Sequence, residues 1–298
     1  MGLVRLHSAL APLLPRLAEL VGVKALVVEA GLQSLSGGYG ELVRLRVEGG
    51  AYKSAILKWA RPPLQESSSA SHLRKCRSFD VEASFYREYS GRCDPACRVP
   101  RLLAEDKRDG EWLLLLEDLD AAGYPGRTRA PRARELSACL DWLAAFHGRF
   151  FGVEPQGLWP VGCYWHLATR AEELAVLTPA QQARARQIDR RLSESRYQTL
   201  VHGDAKPANF CFSPQGDGVA AVDFQYVGAG VGVRDVAYLL HGLTPEQSER
   251  ALDHYFSRLS SWLAPLWDAD AVEREWRELY PIALEDFERF LVGFHRRH

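Results

Sequence analysis

LVHGDAKPANFCFSPQGDGVAAVDFQYVG, running from Leu200 to Gly228, sets Asp204, Asn209 and Asp223 at the ends of segments that otherwise read as buried strands. Each has an ordinary structural explanation when taken alone: a turn start at Asp204, a cap at Asn209, a strand-end carboxylate at Asp223. Three such groups within one short stretch point instead to shared chemistry. A hairpin between LVHGD and AAVDF would bring them to one edge.

The spacing His202-x-Asp204-x-x-x-x-Asn209 matches the catalytic-loop pattern H-x-D-x-x-x-x-N. In that pattern the Asp orients an acceptor hydroxyl and the Asn holds Mg2+, with a later Asp, here Asp223, at the second metal position. Phosphoryl transfer needs such groups because charge accumulates on the transferred phosphoryl and little covalent work is left to the protein. Carboxylate and amide oxygens are the hard ligands that Mg2+ prefers.

The rest of the chain is consistent with that chemistry. Its 298 residues suit one large domain or two lobes, and 47% hydrophobic residues supply a core. With 37 basic and 38 acidic residues the formal charge is -1, which provides no global field for nucleic acid or an anionic membrane. The apolar start is broken by Arg5, Pro12, Pro15, Arg16 and Glu19, so it reads as a short amphipathic helix and the chain as cytosolic. Six scattered cysteines include one close pair, Cys93 and Cys97, with no second pair to complete a zinc site, so free thiols are expected. No residue pattern sets an oligomeric state.

Upstream, ALVVEAGLQSLSGGYGELVRLRVEGGAYKSAILKWA has β-rich runs separated by Gly37-Gly38 and Gly49-Gly50, the grammar of antiparallel hairpins. RPPLQESSSASH reads as a surface connection. In RSFDVEASFYREYSG, Phe79, Glu82, Ala83 and Tyr86 share one helical stripe. EWLLLLEDL is a further strand, and DAAGYPGRTRAP a junction. LSACLDWLAAFHGRF, the segment around YWHLATRAEELAVL and nearly everything after Arg234 read as amphipathic helices, with the opening stretch as the only strand pair among them. The fold class is α+β: a small antiparallel β-rich amino-terminal lobe, 1–116, and a larger mainly helical lobe, 117–298, joined by a hinge at 117–120.

The first lobe holds further candidate parts. Ser36, Gly37, Gly38 and Gly40 form a turn whose N–H groups could cover phosphates, though a plain hairpin turn explains it as well. Lys58 stands on an otherwise apolar strand, where a buried lysine needs an anionic partner. Glu82, on the inward stripe of the next helix, is the candidate.

Together the segments ILKWA, RSFDVEASFYREY, WLLLLEDL, LAAFHGRF, LVHGDAKPANFCF, AAVDFQYVG and VRDVAYLL resemble the aminoglycoside phosphotransferase and choline kinase superfamily, particularly its ecdysteroid-kinase-like branch. The resemblance runs from about Ser36 to Leu240 and implies a protein-kinase-like two-lobe fold using ATP and Mg2+. It implies Asp204 as catalytic base, Asn209 and Asp223 as magnesium ligands, and Lys58 on the α- and β-phosphates, positioned by Glu82. Glu117, Asp118 and Leu119 become the hinge whose backbone pairs with adenine. Asp235 becomes structural, tethering the helix that follows.

Two departures stand out. Lys206 is placed as the lysine after a protein-kinase catalytic Asp, either touching the γ-phosphate or solvated. Gln225 replaces the glycine of Asp-Phe-Gly, and neither an activation loop nor Ala-Pro-Glu follows, which argues against a protein kinase. G-x-x-x-x-G-K-[ST] and G-x-S-x-G are absent, so a P-loop ATPase and a serine hydrolase gain no support. The non-enzyme rival is a pseudokinase used as an interaction module. The expected acceptor is a small hydroxylated molecule. Trp262, Trp267, Trp276, Tyr280, Phe287, Phe290 and Phe294, amid Asp268, Asp270, Glu273, Glu285 and Asp286, either wall its pocket or pack a core.

Overall fold

The computed structural model describes residues 3–63, 69–264 and 266–297. Two short helices, α1 (Leu3–Leu10) and α2 (Leu14–Val21), precede β1 (Ala25–Ser34), β2 (Gly40–Glu48) and β3 (Ser54–Ala60). Then come α3 (Ala70–Ser84), β4 (Leu102–Arg108) and β5 (Glu111–Glu117). The strands form one antiparallel sheet in the order β1-β2-β3-β5-β4. Of the expected connection RPPLQESSSASH, residues 64–68 lie outside the described residues.

The period of two along a strand decides what this sheet can do. On β3, Ala55, Leu57 and Trp59 face the apolar layer built with α1 and α2. Lys58, one residue out of phase, is on the other face, opposite Leu114. The unbroken leucines of β5 are divided the same way: Leu113 and Leu115 join the helix-covered layer, while Leu114 and Leu116 join the main core. A strand buried on both faces reads as a continuous apolar run.

The second part holds α4 (Ala133–Arg149), α5 (Ala171–Ala175), α6 (Pro179–Ser193), α7 (Val233–Leu240), α8 (Pro245–Leu263) and α9 (Ala269–Arg297). Between α6 and α7 run four three-residue strands: β6 (Thr199–Val201), β7 (Phe210–Phe212), β8 (Val219–Ala221) and β9 (Gly228–Gly230). This is the kinase-like α+β architecture, an antiparallel sheet beside a mainly helical lobe. The lobes share their largest core. Val81, Phe85, Tyr86 and Tyr89, from α3 and the π turn at Phe85–Tyr89, pack with Trp142 and Phe146 of α4 and with Phe224. Phe85 and Phe224 stack at a centroid distance of 3.9 Å.

Several expectations are corrected. The amino terminus forms two helices, and LLAEDKR is an additional strand. LVHGD and AAVDF do not pair: β6 pairs with β9, and β7 with β8. The segment Tyr164–Leu177 is helical only at Ala171–Ala175. Its backbone is engaged elsewhere: Tyr164 N–H donates to Gly203 O at 2.8 Å, and Arg170 Nε donates to Tyr164 O at 2.8 Å.

Candidate active site

Asp204, Lys206 and Asn209 lie on the loop between β6 and β7. Its path requires Gly203, where φ is +78° and a Cβ would sit 2.1 Å from the Tyr226 carbonyl oxygen. The loop is held from beneath. Asp235, on α7 and fully buried, accepts from His202 N–H at 2.6 Å and Gly203 N–H at 2.9 Å. It also contacts His147 Nε2 at 3.1 Å, and His147 Nδ1 meets the Tyr255 hydroxyl at 2.8 Å. Asp235 therefore tethers the loop before it, where the sequence reading had it tether the following helix. Asp204 N–H donates to His202 Nδ1 at 3.3 Å, which assigns the His202 proton to Nε2 and its bond to Val222 O, 3.0 Å away. His202 thus ties the Asp204 loop to the strand leading into Asp223.

Asn209 Nδ2 donates to Asp204 O at 2.8 Å and to Asp204 Oδ2 at 3.0 Å, which turns its amide oxygen away from that carboxylate. Lys206 Nζ is 2.7 Å from Asp204 Oδ2. Asp204 Oδ1 is buried and has no hydrogen-bond partner among the described residues. Burial and the Asp223 charge raise the Asp204 pKa, against the opposing pull of Lys206. Tyr238, three residues after Asp235, lies near enough that burial and the Asp204 charge both push its phenol upward.

Across the cleft, Lys58 Nζ lies 2.6 Å from Glu82 Oε2 and 3.0 Å from Asp223 Oδ1. Burial alone would lower the Lys58 pKa, but the Asp223 and Glu82 charges outweigh it and hold the ammonium above its ordinary range. Burial presses Asp223 upward; Lys58 and Lys206 overcome it and leave that carboxyl low. Glu82 goes the other way, because its own burial exceeds the pull of Lys58. Asp223 adopts φ +69°, a left-handed backbone costing about 1 kcal/mol in a non-glycine residue. Such strain persists where surrounding structure dictates it, and it gathers at functional sites.

Lys58, Glu82, Asn209 and Asp223 line a cavity of about 700 Å³, with Leu42, Ile56, Leu116 and the run Glu117-Asp118-Leu119. That volume is within the range of small-molecule sites. Asp118 and Leu119 carbonyls are taken by the N–H groups of Ala122 and Tyr124. Among the described residues, the Asp118 and Leu119 N–H groups remain without hydrogen-bond partners. Ser36, Gly37, Gly38 and Gly40 do not line the cavity, while neighbouring Leu32, Gln33 and Leu35 do. The turn is anchored on α3 by Tyr39, whose hydroxyl meets His72 Nδ1 at 3.0 Å.

The donor set fits a magnesium ion. Asp223 and the amide oxygen of Asn209 would offer hard oxygen ligands on one wall, beside Asp204 Oδ1, which has no hydrogen-bond partner among the described residues. Among the described residues no three His, Cys, Asp or Glu side chains cluster as an all-protein metal cage. Mg2+ bound through one or two protein ligands and substrate phosphates needs no such cage.

The aromatic and acidic residues of the last two helices are mostly committed elsewhere. Trp276 is fully buried against Tyr197 O, Asp286 takes Trp165 Nε1 and Arg289, and Glu285 pairs with Arg184. Trp262 and Trp267 are partly exposed. Sequence reasoning left His147, Tyr164, Tyr226 and Tyr238 without roles. The histidine of LAAFHGRF, on an otherwise apolar helical face, was the one available signal.

No helix among the described residues is long and apolar enough to cross a membrane. A search of curated proteins found no match. Among solved structures, a provisionally assigned fructosamine-3-kinase from Thermobifida fusca YX-ER1 is 19% identical, with a TM-score of 0.50 over 93% of this chain and 98% of that one. A macrolide 2'-phosphotransferase type I is 14% identical, with a TM-score of 0.52 over 92% and 88%. At those identities the likeness shows the fold alone. The family model described as phosphotransferase enzyme family, APH, matches residues 31–279, a span containing Lys58, Glu82, Asp204, Lys206, Asn209, Asp223 and Asp235, and the chain belongs to that family.

Proposed function

We propose that this chain is an ATP- and magnesium-dependent kinase that phosphorylates a hydroxyl of a small molecule. Family membership supports phosphotransfer. The observation that carries the finer reading is the set Lys58–Glu82–Asp223 lining one cavity with Asn209, which is hydrogen-bonded to Asp204. In this reading the adenine lies against the N–H groups of Asp118 and Leu119, with the lobe boundary at 117–120. Lys58, oriented by Glu82, meets the α- and β-phosphates.

Asn209 and Asp223 would hold Mg2+, which when bound neutralises charge on the phosphates. Asp204 accepts the acceptor proton and aims the attacking oxygen at the γ-phosphorus. Lys206, which reaches Asp204 Oδ2, is free to turn to the γ-phosphate as that group takes on charge. The ecdysteroid-kinase-like branch, the alcohol acceptor and ATP as phosphate donor follow from the motif resemblance.

A peptide substrate is disfavoured by the path from Asp223 to Asp235. Its middle is pinned as β9 against β6, and Gly228 bridges to Trp159, leaving no extended platform. Titrating Mg-ATP and magnesium-free ATP into the protein, then measuring ADP formation across alcohols, sugars and amino alcohols, tests the reading. Magnesium-dependent binding with acceptor-stimulated ADP formation is expected. Efficient phosphorylation of proteins with no alcohol turned over would overturn it.

A further inference from the structure

Asn209 and Asp223 line the large cavity, but Asp204, Lys206, Tyr164 and Tyr238 do not. In the kinase reading the γ-phosphate is delivered from that cavity, and in-line transfer puts the attacking oxygen on the side away from the leaving group. Around Asp204, outside the cavity, three side chains keep some exposure: Lys206, Tyr164 and Tyr238. Lys206 Nζ is 2.7 Å from Asp204 and 5.9 Å from the Tyr164 ring centroid.

Tyr238 is brought to the carboxylate by its helix. Of the eight residues of α7 it alone is not buried. It stands one turn after Asp235, which holds the His202 and Gly203 N–H groups, and so shares that helix face. Its ring packs edge-on against Trp165 at 5.0 Å and against Phe287 at 4.5 Å. The hydroxyl lies beside Asp204, near enough for charge and hydrogen bonding to act between them, while Oδ1 completes no hydrogen bond among the described residues.

The lone pairs of Asp204 limit what that hydroxyl can do. Each carboxylate oxygen offers two acceptor positions. Oδ2 uses both, with Asn209 Nδ2 at 3.0 Å and Lys206 Nζ at 2.7 Å. The acceptor's proton therefore goes to Oδ1, and a second position on that oxygen stays open.

We propose that Tyr238 is a positioning residue for phosphoryl transfer: its hydroxyl donates to one position on Asp204 Oδ1 and leaves the other for the hydroxyl of the acceptor. The proposal rests on the kinase reading above. Hydrogen bonds around a general base are commonly long before its partner arrives and tighten in the complex, which fits the incomplete contact here. A phenol suits the task, because burial and the Asp204 charge raise its pKa and keep its proton in place. It donates without competing for the proton that Asp204 removes.

Tyr238→Phe removes only the oxygen and keeps the ring against Trp165 and Phe287. With any alcohol that the wild-type protein phosphorylates, kcat should fall about tenfold or more, the scale of one hydrogen bond to a charged group. The ATP KM and the urea midpoint should stay at their wild-type values, whereas a merely structural role would move the midpoint.

Carboxyl 13C NMR gives a readout that needs no turnover, with the Asp204 signal assigned by its loss in Asp204→Asn. Asp204 should titrate at a pH higher by at least about 0.5 in Tyr238→Phe, because a donor to its charged form is gone. Lys206, His202, Asp223, Asp235, Tyr164 and Cys163, the other titratable groups around this pair, are untouched by the substitution. An unchanged kcat in Tyr238→Phe overturns the proposal and leaves the kinase reading standing. A shifted Asp204 titration, with no ADP formed by the wild-type protein from any alcohol, sustains the hold of Tyr238 on Asp204 and overturns the kinase reading. An Asp204 titration that does not move overturns the proposal outright.

Discussion

In the cleft, Lys58 is held between two carboxylates within 3.0 Å; in a separate groove beside α3, Arg74 and Arg77 reach carbonyls, a hydroxyl and a ring. The first set places one ammonium between two carboxylates, which leaves a formal excess of one negative charge in the cleft. Among the described residues the second pairs with no carboxylate. A buried cation requires anions placed by the fold, whereas guanidinium groups nearer the surface are satisfied by carbonyls and water.

The largest effects should come from the catalytic loop. Asp204→Asn is expected to cut turnover by about 10³-fold, the scale of general-base loss, while leaving Mg-ATP binding nearly intact. Asp223→Ala should abolish magnesium-dependent binding. Calorimetry and steady-state rates on both variants check this, and equal loss of binding in the two would collapse the distinction between their roles.

Lys58→Ala probes the cleft directly. It strips the cation from Glu82, which is 1% exposed, and such breakage of a buried pair costs about 3–5 kcal/mol. Urea unfolding at neutral pH measures it. A change no larger than that of an exposed pair would show that Lys58 and Glu82 do not act as a buried pair.

Lys206→Gln should act more gently, on pH dependence. In the proposed role Asp204 acts as a base only when ionised, and its pKa already lies above the ordinary aspartate range because burial outweighs Lys206. Removing Lys206 removes a lowering influence, so the acid limb of the kcat/KM profile should move to higher pH. A limb that stays put or moves down would place Lys206 outside the field of Asp204.

Glu285→Gln should do least. Its pair with Arg184 has side chains 42% and 53% exposed, and exposed pairs are worth under about 1 kcal/mol. The acceptor KM should be unchanged. A large rise would move the acceptor wall back to α9.

The same contrast explains what could be read from the chain. Lys58 was legible because it is the one charge on an otherwise apolar strand, and Glu82 because it falls on a helical stripe. Asp204, Asn209 and Asp223 were legible because loop chemistry fixes their spacing. β9 was not: Gly228, Ala229 and Gly230 have little strand propensity, and pairing with β6 creates the strand. The His147–Asp235–Tyr255 network joins residues 88 and 108 positions apart, and no local pattern announces such a union. The arginine groove was hidden for a like reason, because it exists only where α3 meets a segment whose helical periodicity is overridden by its contacts with Gly203 and Arg170.

The stacking of Phe85 on Phe224 bears on how the molecule comes apart. A chain cut after residue 116 would carry Val81, Phe85, Tyr86 and Tyr89 into water, at about 1.5–3 kcal/mol for each large apolar side chain. The sheet lobe therefore lacks an independent melting point. Calorimetric heating should give one endotherm whose van't Hoff and measured enthalpies agree, with the sheet and the helices lost in the same cooperative step.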